Sequence, residues 1–204
     1  NEIFKELGAD YIIEGGQTMN PSTEDMLNAI DQVNADTVFI LPNNKNIILA
    51  AEQAKALSKR KLHIIPSRNI PQGLAAMLAF NPEDTVAANE NNMIEAMQSV
   101  RAGQVTYAVR STQVDGFDLK EGDIIGINSK EIVAKGESVN KVTEQLIDRM
   151  MDKDTTTVTL YFGNNVTEDE ANGIASVIAE KYPRCDVDTY FGGQPLYYYI
   201  VSLE

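Results

Sequence analysis

Histidine, cysteine and tryptophan are scarce in this 204-residue chain, which has one histidine, one cysteine and no tryptophan. The lone Cys185 cannot form a disulfide within the chain, and one histidine with one distant cysteine cannot complete a zinc site. No apolar run approaches the ~18 residues that a membrane-spanning helix needs. These absences indicate a cytoplasmic protein of a reducing compartment, with no direct insertion into a membrane.

Positive charge is also in short supply, since 17 lysines and arginines face 30 aspartates and glutamates and leave a formal net charge of -13. Such a chain repels the phosphates of nucleic acids and the anionic surface of a membrane. We therefore expect no nucleic-acid partner. A protein partner with a basic surface fits this charge better.

Motifs that bind a nucleotide are missing, because neither a G-x-G-x-x-G turn opening a helix nor a G-x-x-x-x-G-K-[ST] loop occurs. The single histidine, His63, lies in the strand-like run KLHIIPS, where a packed or hydrogen-bonded role is expected. Cys185 has an acidic neighbour, which disfavours a nucleophilic thiolate. Acidic pairs such as Glu24 and Asp25 fall in first helical turns, where they complement the helix dipole. We predict no catalytic residue, metal site or cofactor in this chain.

The first part of the chain alternates between strand-like and helix-like patterns. DYIIEGG, DTVFILPNN and KLHIIPS are short, nearly continuous apolar runs of the kind buried on both faces of a sheet. A helix follows each run, and Ser22 with Asp25 forms a capping box at the start of the first of them. Alternation of this kind predicts a first α/β lobe with a mostly parallel sheet over residues 1–81.

A second α/β lobe with a mixed sheet is predicted over residues 82–204. It begins with a linking helix over residues 82–100, capped by Asn81, and continues through a meander rich in turn residues. Two further helices and the closing strands DVDTYF and PLYYYIVSLE complete it. Because the chain opens on Asn1 directly into a helical pattern, we expect it to be a piece of a longer protein.

Three loops follow the three apolar runs of the first lobe. Carboxyl ends of parallel strands meet at one edge of a sheet, where ligands and partners dock. Amide and hydroxyl groups dominate these loops and recognise by hydrogen bonds, with no evident group for proton transfer or covalent attack. Tight-turn formation by the same Asn, Pro and Gly residues is the structural alternative. The predicted partner-binding residues are Gln17, Thr18, Asn20, Asn43, Asn44, Lys45, Ser67 and Arg68.

Three longer stretches resemble the carboxyl-terminal region of the bacterial fatty acid kinase A-subunit family, which is related to dihydroxyacetone kinases. They are GADYIIEGGQTMNPSTEDMLNAI, LPNNKNIILAAEQA and FGGQPLYYYIVSLE. The resemblance spans the whole chain, and the GGQTMNPST string is specific. In that family an amino-terminal kinase domain binds ATP and Mg²⁺, and the carboxyl-terminal region engages a separate acyl-carrying protein whose fatty acid becomes acyl phosphate.

The resemblance implies a non-catalytic recognition domain that docks a fatty-acid-binding, acyl-carrying partner for the kinase domain of the full-length protein, in lipid metabolism and phospholipid synthesis. Nothing in the chain resembles the aspartate-rich metal loop of the kinase, so ATP and Mg²⁺ belong to that absent domain. Two alternatives stay open. One is a domain that binds a small polar metabolite or acts as a dihydroxyacetone kinase-like enzyme, although His63 does not match the substrate-holding histidine of those relatives. The other is a dimerisation domain that forms a homodimer.

Overall fold

The computed structural model describes residues 2–15, 20–129 and 131–204 of the chain. Within them the helices are α1 (Glu2–Glu6), α2 (Thr23–Gln32), α3 (Lys45–Leu57), α4 (Ile70–Leu78), α5 (Val86–Ser99), α6 (Val139–Met150) and α7 (Glu168–Lys181). The strands are β1 (Thr37–Ile40), β2 (Lys61–Ile64), β3 (Arg101–Tyr107), β4 (Thr112–Val114), β5 (Phe117–Leu119), β6 (Ile124–Asn128), β7 (Glu131–Gly136), β8 (Thr157–Phe162), β9 (Asp186–Phe191) and β10 (Tyr199–Leu203). The chain divides into two compact units, Asn1–Ser99 and Val100–Glu204.

The first unit is built on a two-stranded parallel sheet of β1 and β2. Side chains alternate between the two faces of each strand, so consecutive residues pack into different cores. Val38 and Leu62 pack with α2 and α3, where Met26 and Ala54 are buried. A parallel sheet needs both faces covered, and the continuous apolar runs of the sequence reflect that need.

The opposite face of this sheet is covered by α4 and α5. Phe39 and Ile65 pack there against Ala76, Met93 and Met97. Ile65 and Ala76 are fully buried. The mostly parallel sheet predicted for the first lobe is therefore confirmed for the described residues.

The strand predicted over DYIIEGG is wrong for the part that the structure describes. Residues 11–15 form neither a helix nor a strand. Ile13 packs against the core beneath α2, whereas Tyr11 is half exposed. Three consecutive apolar residues resemble a strand in sequence, but here they form no strand, and Ile13 packs against the core from an irregular segment.

The helix predicted over residues 82–100 begins later, at Val86, and belongs to the first unit. The buried Asn89 side chain donates to the Asn81 carbonyl over 2.8 Å and accepts the Asn81 amide over 2.8 Å. This pair folds residues 81–85 back as a turn, after which Thr85 accepts the Ala88 amide. The helix ends at Ser99, and β3 begins two residues later at Arg101.

The second unit is built on a six-stranded mixed sheet in the order β7-β6-β3-β10-β8-β9. All pairs are antiparallel except β8 and β9, which are parallel and joined through α7. Helices α6 and α7 cover one face over a core that includes Leu146, Leu160, Ile178 and Val201, all fully buried. The predicted mixed sheet of the second lobe is confirmed.

A two-stranded hairpin of β4 and β5 covers part of the other face. Its turn contains Asp115 and Gly116 with φ of 50° and 79°, the left-handed pair that a tight hairpin turn requires. Leu119 on the hairpin packs against Ile125 on β6. Asp115 and Gly116 thus form one of the turns of the turn-rich meander predicted for this part of the chain.

The hydroxyl of Tyr199 is the one buried side-chain polar group in the described residues that lacks a hydrogen-bond partner. Its side chain lies in the central strand of the six-stranded sheet and is fully buried. Burial raises the pKa of this hydroxyl to about 12. A buried, unpaired hydroxyl destabilises the fold by its lost hydration.

We predict that Tyr199→Phe increases the free energy of unfolding by about 1 kcal/mol, because the substitution removes the unpaired hydroxyl and keeps the ring. Urea unfolding of the two proteins at neutral pH measures the difference. A variant that is less stable by a similar amount would mean that the hydroxyl is hydrogen-bonded in solution.

Stability should also fall as pH rises from 10 towards 12. Burial raises the pKa values of Tyr161, Tyr182 and Tyr199 from 10.0 to about 12 each. Ionisation of these hydroxyls therefore costs more in the folded chain than in the unfolded chain, so stability is unaffected below pH 10 and is lost as pH rises through the folded-state values. Tyrosinate absorbance recorded with urea unfolding tests the expectation, and ionisation of every tyrosine near pH 10 without loss of stability contradicts it.

Candidate docking surface

The carboxyl ends of β1 and β2 lie at the same edge of the parallel sheet, as the register of the two strands requires. Residues 41–44 lead from β1 into α3, and residues 65–69 lead from β2 into α4. These two segments are the loops after β1 and β2, whereas Asn20 lies before α2 and follows no strand among the described residues. Gln17 and Thr18 lie outside the described residues.

Two of the predicted residues are brought into direct contact, although they are 24 positions apart. The Ser67 hydroxyl accepts the Asn43 amide over 3.0 Å and donates to Asn43 Oδ1 over 2.8 Å. Ser67 is fully buried and Asn43 is half-buried. Ser67 therefore holds the first loop in position and does not itself present a group to the surface.

Asn43 adopts a φ of 54°, in the left-handed region that asparagine tolerates better than most residues. Its side chain lies against Gly73 in α4, where a Cβ atom would come within 1.9 Å of Asn43 Oδ1. Glycine at position 73 thus lets the helix approach the loop. The two loops are thus held together by the bonds between Asn43 and Ser67, and α4 packs closely against them at Gly73.

Lys45 and Arg68 are outward-facing groups at the ends of the loops after β1 and β2, and both are exposed. Asn20 is also exposed, in the segment before α2. Asn44 is the N-cap of α3, and its Oδ1 accepts the Asn46 amide over 2.9 Å. Arg68 donates its backbone amide to Gln72 Oε1, which leaves the guanidinium as the group facing solvent. The surface therefore combines amide and cationic donors over a fixed backbone.

The described residues contain no group of three or more His, Cys, Asp or Glu side chains placed to hold a metal ion. One open depression is lined by residues 34–36 with Arg60, and another lies between α7 and β9; neither is lined by a residue of the strand-end loops. None of the described helices is long and apolar enough to cross a membrane.

His63 has the packed and hydrogen-bonded environment expected from its strand. Its Nδ1 lies 2.9 Å from Glu90 Oε2, and its ring centroid is 5.3 Å from that of Phe39. The pair connects β2 to α5. Sequence alone identified the strand but could not identify Glu90, which lies 27 positions further along the chain.

Comparison with known proteins decides the family. The FakA-like C-terminal family model, which describes the carboxyl-terminal part of the A-subunit of fatty acid kinase and its relatives, matches residues 1–204. The chain belongs to this family. Protein YloV of Bacillus subtilis is 47% identical over 203 residues, a match that covers 100% of this chain and 37% of YloV. The chain thus spans little more than a third of the length of the relatives it matches.

Two solved structures share the fold at low sequence identity. The Streptococcus pneumoniae fatty acid kinase (Fak) B3 protein, loaded with linoleic acid, matches with a TM-score of 0.66 and 14% identity over 90% of this chain and 76% of its own. A DegV family protein of Corynebacterium glutamicum matches with a TM-score of 0.69 and 12% identity over 99% and 91%. These likenesses confirm the α/β fold of the chain.

We predict that Gly73→Ala destabilises the chain by about 1–3 kcal/mol, because the new methyl group clashes with the Asn43 side chain held by Ser67. Gly173→Ala is the matched control, since Gly173 also lies in a helix but an added Cβ would meet nothing within 4 Å there. In the control, alanine should stabilise the helix by up to about 1 kcal/mol. Urea unfolding of both variants measures the contrast, and equal effects would contradict the locked arrangement.

Proposed function

We propose that this chain is the recognition domain of a fatty acid kinase and docks a fatty-acid-binding partner protein, so that the bound fatty acid can be phosphorylated to acyl phosphate. The observation that carries the proposal is the match of the whole chain to the FakA-like C-terminal family. The strand-end loops support it, because their exposed groups are hydrogen-bond donors fixed on a rigid edge. Docking by such a surface requires no catalytic residue.

Phosphoryl transfer is assigned to the part of the full-length protein that lies outside this chain. That part would bind ATP and Mg²⁺ and supply the phosphate cradle that the present sequence lacks. The chain alone should therefore show no ATP hydrolysis above a matched blank. Activity that stays with the chain through repeated purification would contradict this assignment.

The docking proposal is tested by titrating the chain with DegV-fold fatty-acid-binding proteins encoded in the same genome, using calorimetry. Exposed Asn20 and Arg68 should contact the partner, so Asn20→Ala combined with Arg68→Ala should weaken binding by about 1–3 kcal/mol, mainly through faster dissociation. Because the chain carries a net charge of -13, association should also slow as added salt shortens the screening length below about 8 Å.

Asn28→Ala combined with Lys59→Ala is the matched control. Both residues are exposed, Asn28 on α2 and Lys59 before the amino end of β2, away from the loops. Control and test variants should melt at the same temperature as the unaltered chain. Equal affinity of both variants would move the docking site elsewhere, and no binding by the unaltered chain to any candidate would overturn the proposed function.

A further inference from the structure

The strand-end loops after β1 and β2 carry positive charge in a chain that is acidic overall. Residues 41–51 and 65–82, which include these loops, the first half of α3 and all of α4, contain Lys45 and Arg68 and no aspartate or glutamate. Both side chains are exposed, and neither forms a salt bridge within the described residues. This edge of the sheet is therefore locally cationic, although the whole chain has a net charge of -13.

Carboxylates on the neighbouring elements are set back from the loops or flank them. The start of α2 is hydrogen-bonded to Gln53, eight residues beyond Lys45 on α3, so the acidic first turn of α2 and Glu52 are both about 10–12 Å along α3 from that lysine. Glu95 on α5 and Glu14 before α2 are exposed on opposite sides of the sheet. The two cations are thus the charged groups of the loops themselves.

The backbone that carries the two cations is fixed by the contact between the loops. The Ser67 hydroxyl is bonded twice to Asn43, and each cationic residue lies within two positions of that pair. Asn44 and Asn69 cap α3 and α4, so their side-chain oxygens are already used within the fold. A partner that meets these charges orders little backbone, which keeps the entropic cost of binding low.

Lys45 is the first residue of α3, where a positive charge is unfavourable. The N-terminus of a helix carries positive partial charge, so a lysine there lowers the stability of the helix and a carboxylate raises it. Helices α2 and α7 of the same chain begin with carboxylates. Lys45 adds to the positive potential of the edge and weakens its own helix, which fits a role in binding better than a role in folding.

We infer that the strand-end loops after β1 and β2 recognise carboxylates on the fatty-acid-binding partner, with Lys45 and Arg68 each pairing with an acidic side chain at the contact. This inference rests on the proposed function and names the chemistry of the partner at the same surface. Arg68 can hold a carboxylate through two parallel hydrogen bonds, whereas Lys45 acts as a point charge. An anionic membrane is a poorer fit, because two cations contribute only about 1 kcal/mol each and the rest of the chain is repelled.

Lys45→Gln combined with Arg68→Gln is the test variant, because glutamine keeps a hydrogen-bond donor and removes the charge. The probes are the DegV-fold fatty-acid-binding proteins of the same genome, titrated by calorimetry. At low salt the Kd of the test variant should be about tenfold higher than that of the unaltered chain. The difference should shrink as NaCl is raised to about 0.5 M, because salt screens the ion pairs of the unaltered chain.

Lys55→Gln combined with Lys59→Gln is the matched control, since it changes the net charge of the chain by the same amount. Both lysines are exposed, and Lys55 lies about 15 Å along α3 from Lys45. Lys59 precedes the amino end of β2, at the opposite end of the sheet from the loops. The control should leave Kd unchanged.

Lys45→Glu separates binding from folding. Its melting temperature should equal or exceed that of the unaltered chain, because a carboxylate suits the start of a helix. Its Kd for the same probes should rise above that of Lys45→Gln alone, because a carboxylate would then face a carboxylate. Binding as tight as that of the unaltered chain contradicts the inference.

The outcomes separate this inference from the docking proposal. Equal Kd values for the test and control variants, or tighter binding by the test variant, overturn the recognition of carboxylates and leave the proposed function standing. Absence of partner binding by the unaltered chain overturns both. Binding to phosphatidylglycerol vesicles that is lost in the test variant, with partner affinity unchanged, assigns the cations to lipid headgroups. Self-association lost in the same way, measured by sedimentation, assigns them to a second copy of the chain, and either result overturns the inference.

Discussion

Pairing of β10 on both sides is the constraint on which the second unit depends. All five residues from Tyr199 to Leu203 are buried, and the strand bonds to β3 on one side and β8 on the other. The two halves of the sheet meet only through this strand, which follows all the other strands in the chain. The preceding loop must therefore turn from the edge strand β9 across β8 to the middle of the sheet. The compact turn at Leu196 is a consequence of that path.

The first unit is stabilised differently, because its two parallel strands form few backbone hydrogen bonds with each other. Helices on both faces bury the apolar surface of the sheet, and contacts between the loops fix the loop backbone at the sheet edge. The Ser67 hydroxyl forms two hydrogen bonds with Asn43, and glycine at position 73 allows α4 to lie close to the Asn43 side chain. The polar residues at this edge thus divide into those that fix the backbone and those, such as Lys45 and Arg68, that face solvent. Only the second group is available for the proposed docking.

Local signals in the sequence predicted local structure well. The capping boxes of Ser22 with Asp25 and of Thr167 with Glu170 begin α2 and α7 as their spacing indicates, and hydrogen bonds from the capping residues lower the pKa values of both carboxyls. The parallel-strand pattern predicted that the loops of Asn43 and Ser67 meet at one edge, but it could not predict the hydrogen bonds between these two residues, because no periodicity connects them. The strand predicted for residues 11–15 is wrong for a different reason. An apolar run indicates burial, but it does not indicate whether a neighbouring strand will pair with it. The buried or exposed state of a loop residue depends on such contacts and decides its place in the candidate site.

The fold shared with fatty-acid-binding proteins does not by itself give this chain their activity, since one fold hosts many functions. Function has to be argued from the surfaces that the fold carries. Here the strand-end loops of the first unit display hydrogen-bond donors on backbone that Ser67 and Asn43 hold in position. A small apolar ligand needs an enclosed cavity, but a protein partner needs a fixed surface of mixed character. The described surfaces have the second property, which is the one that the proposed docking of a fatty-acid-binding partner requires.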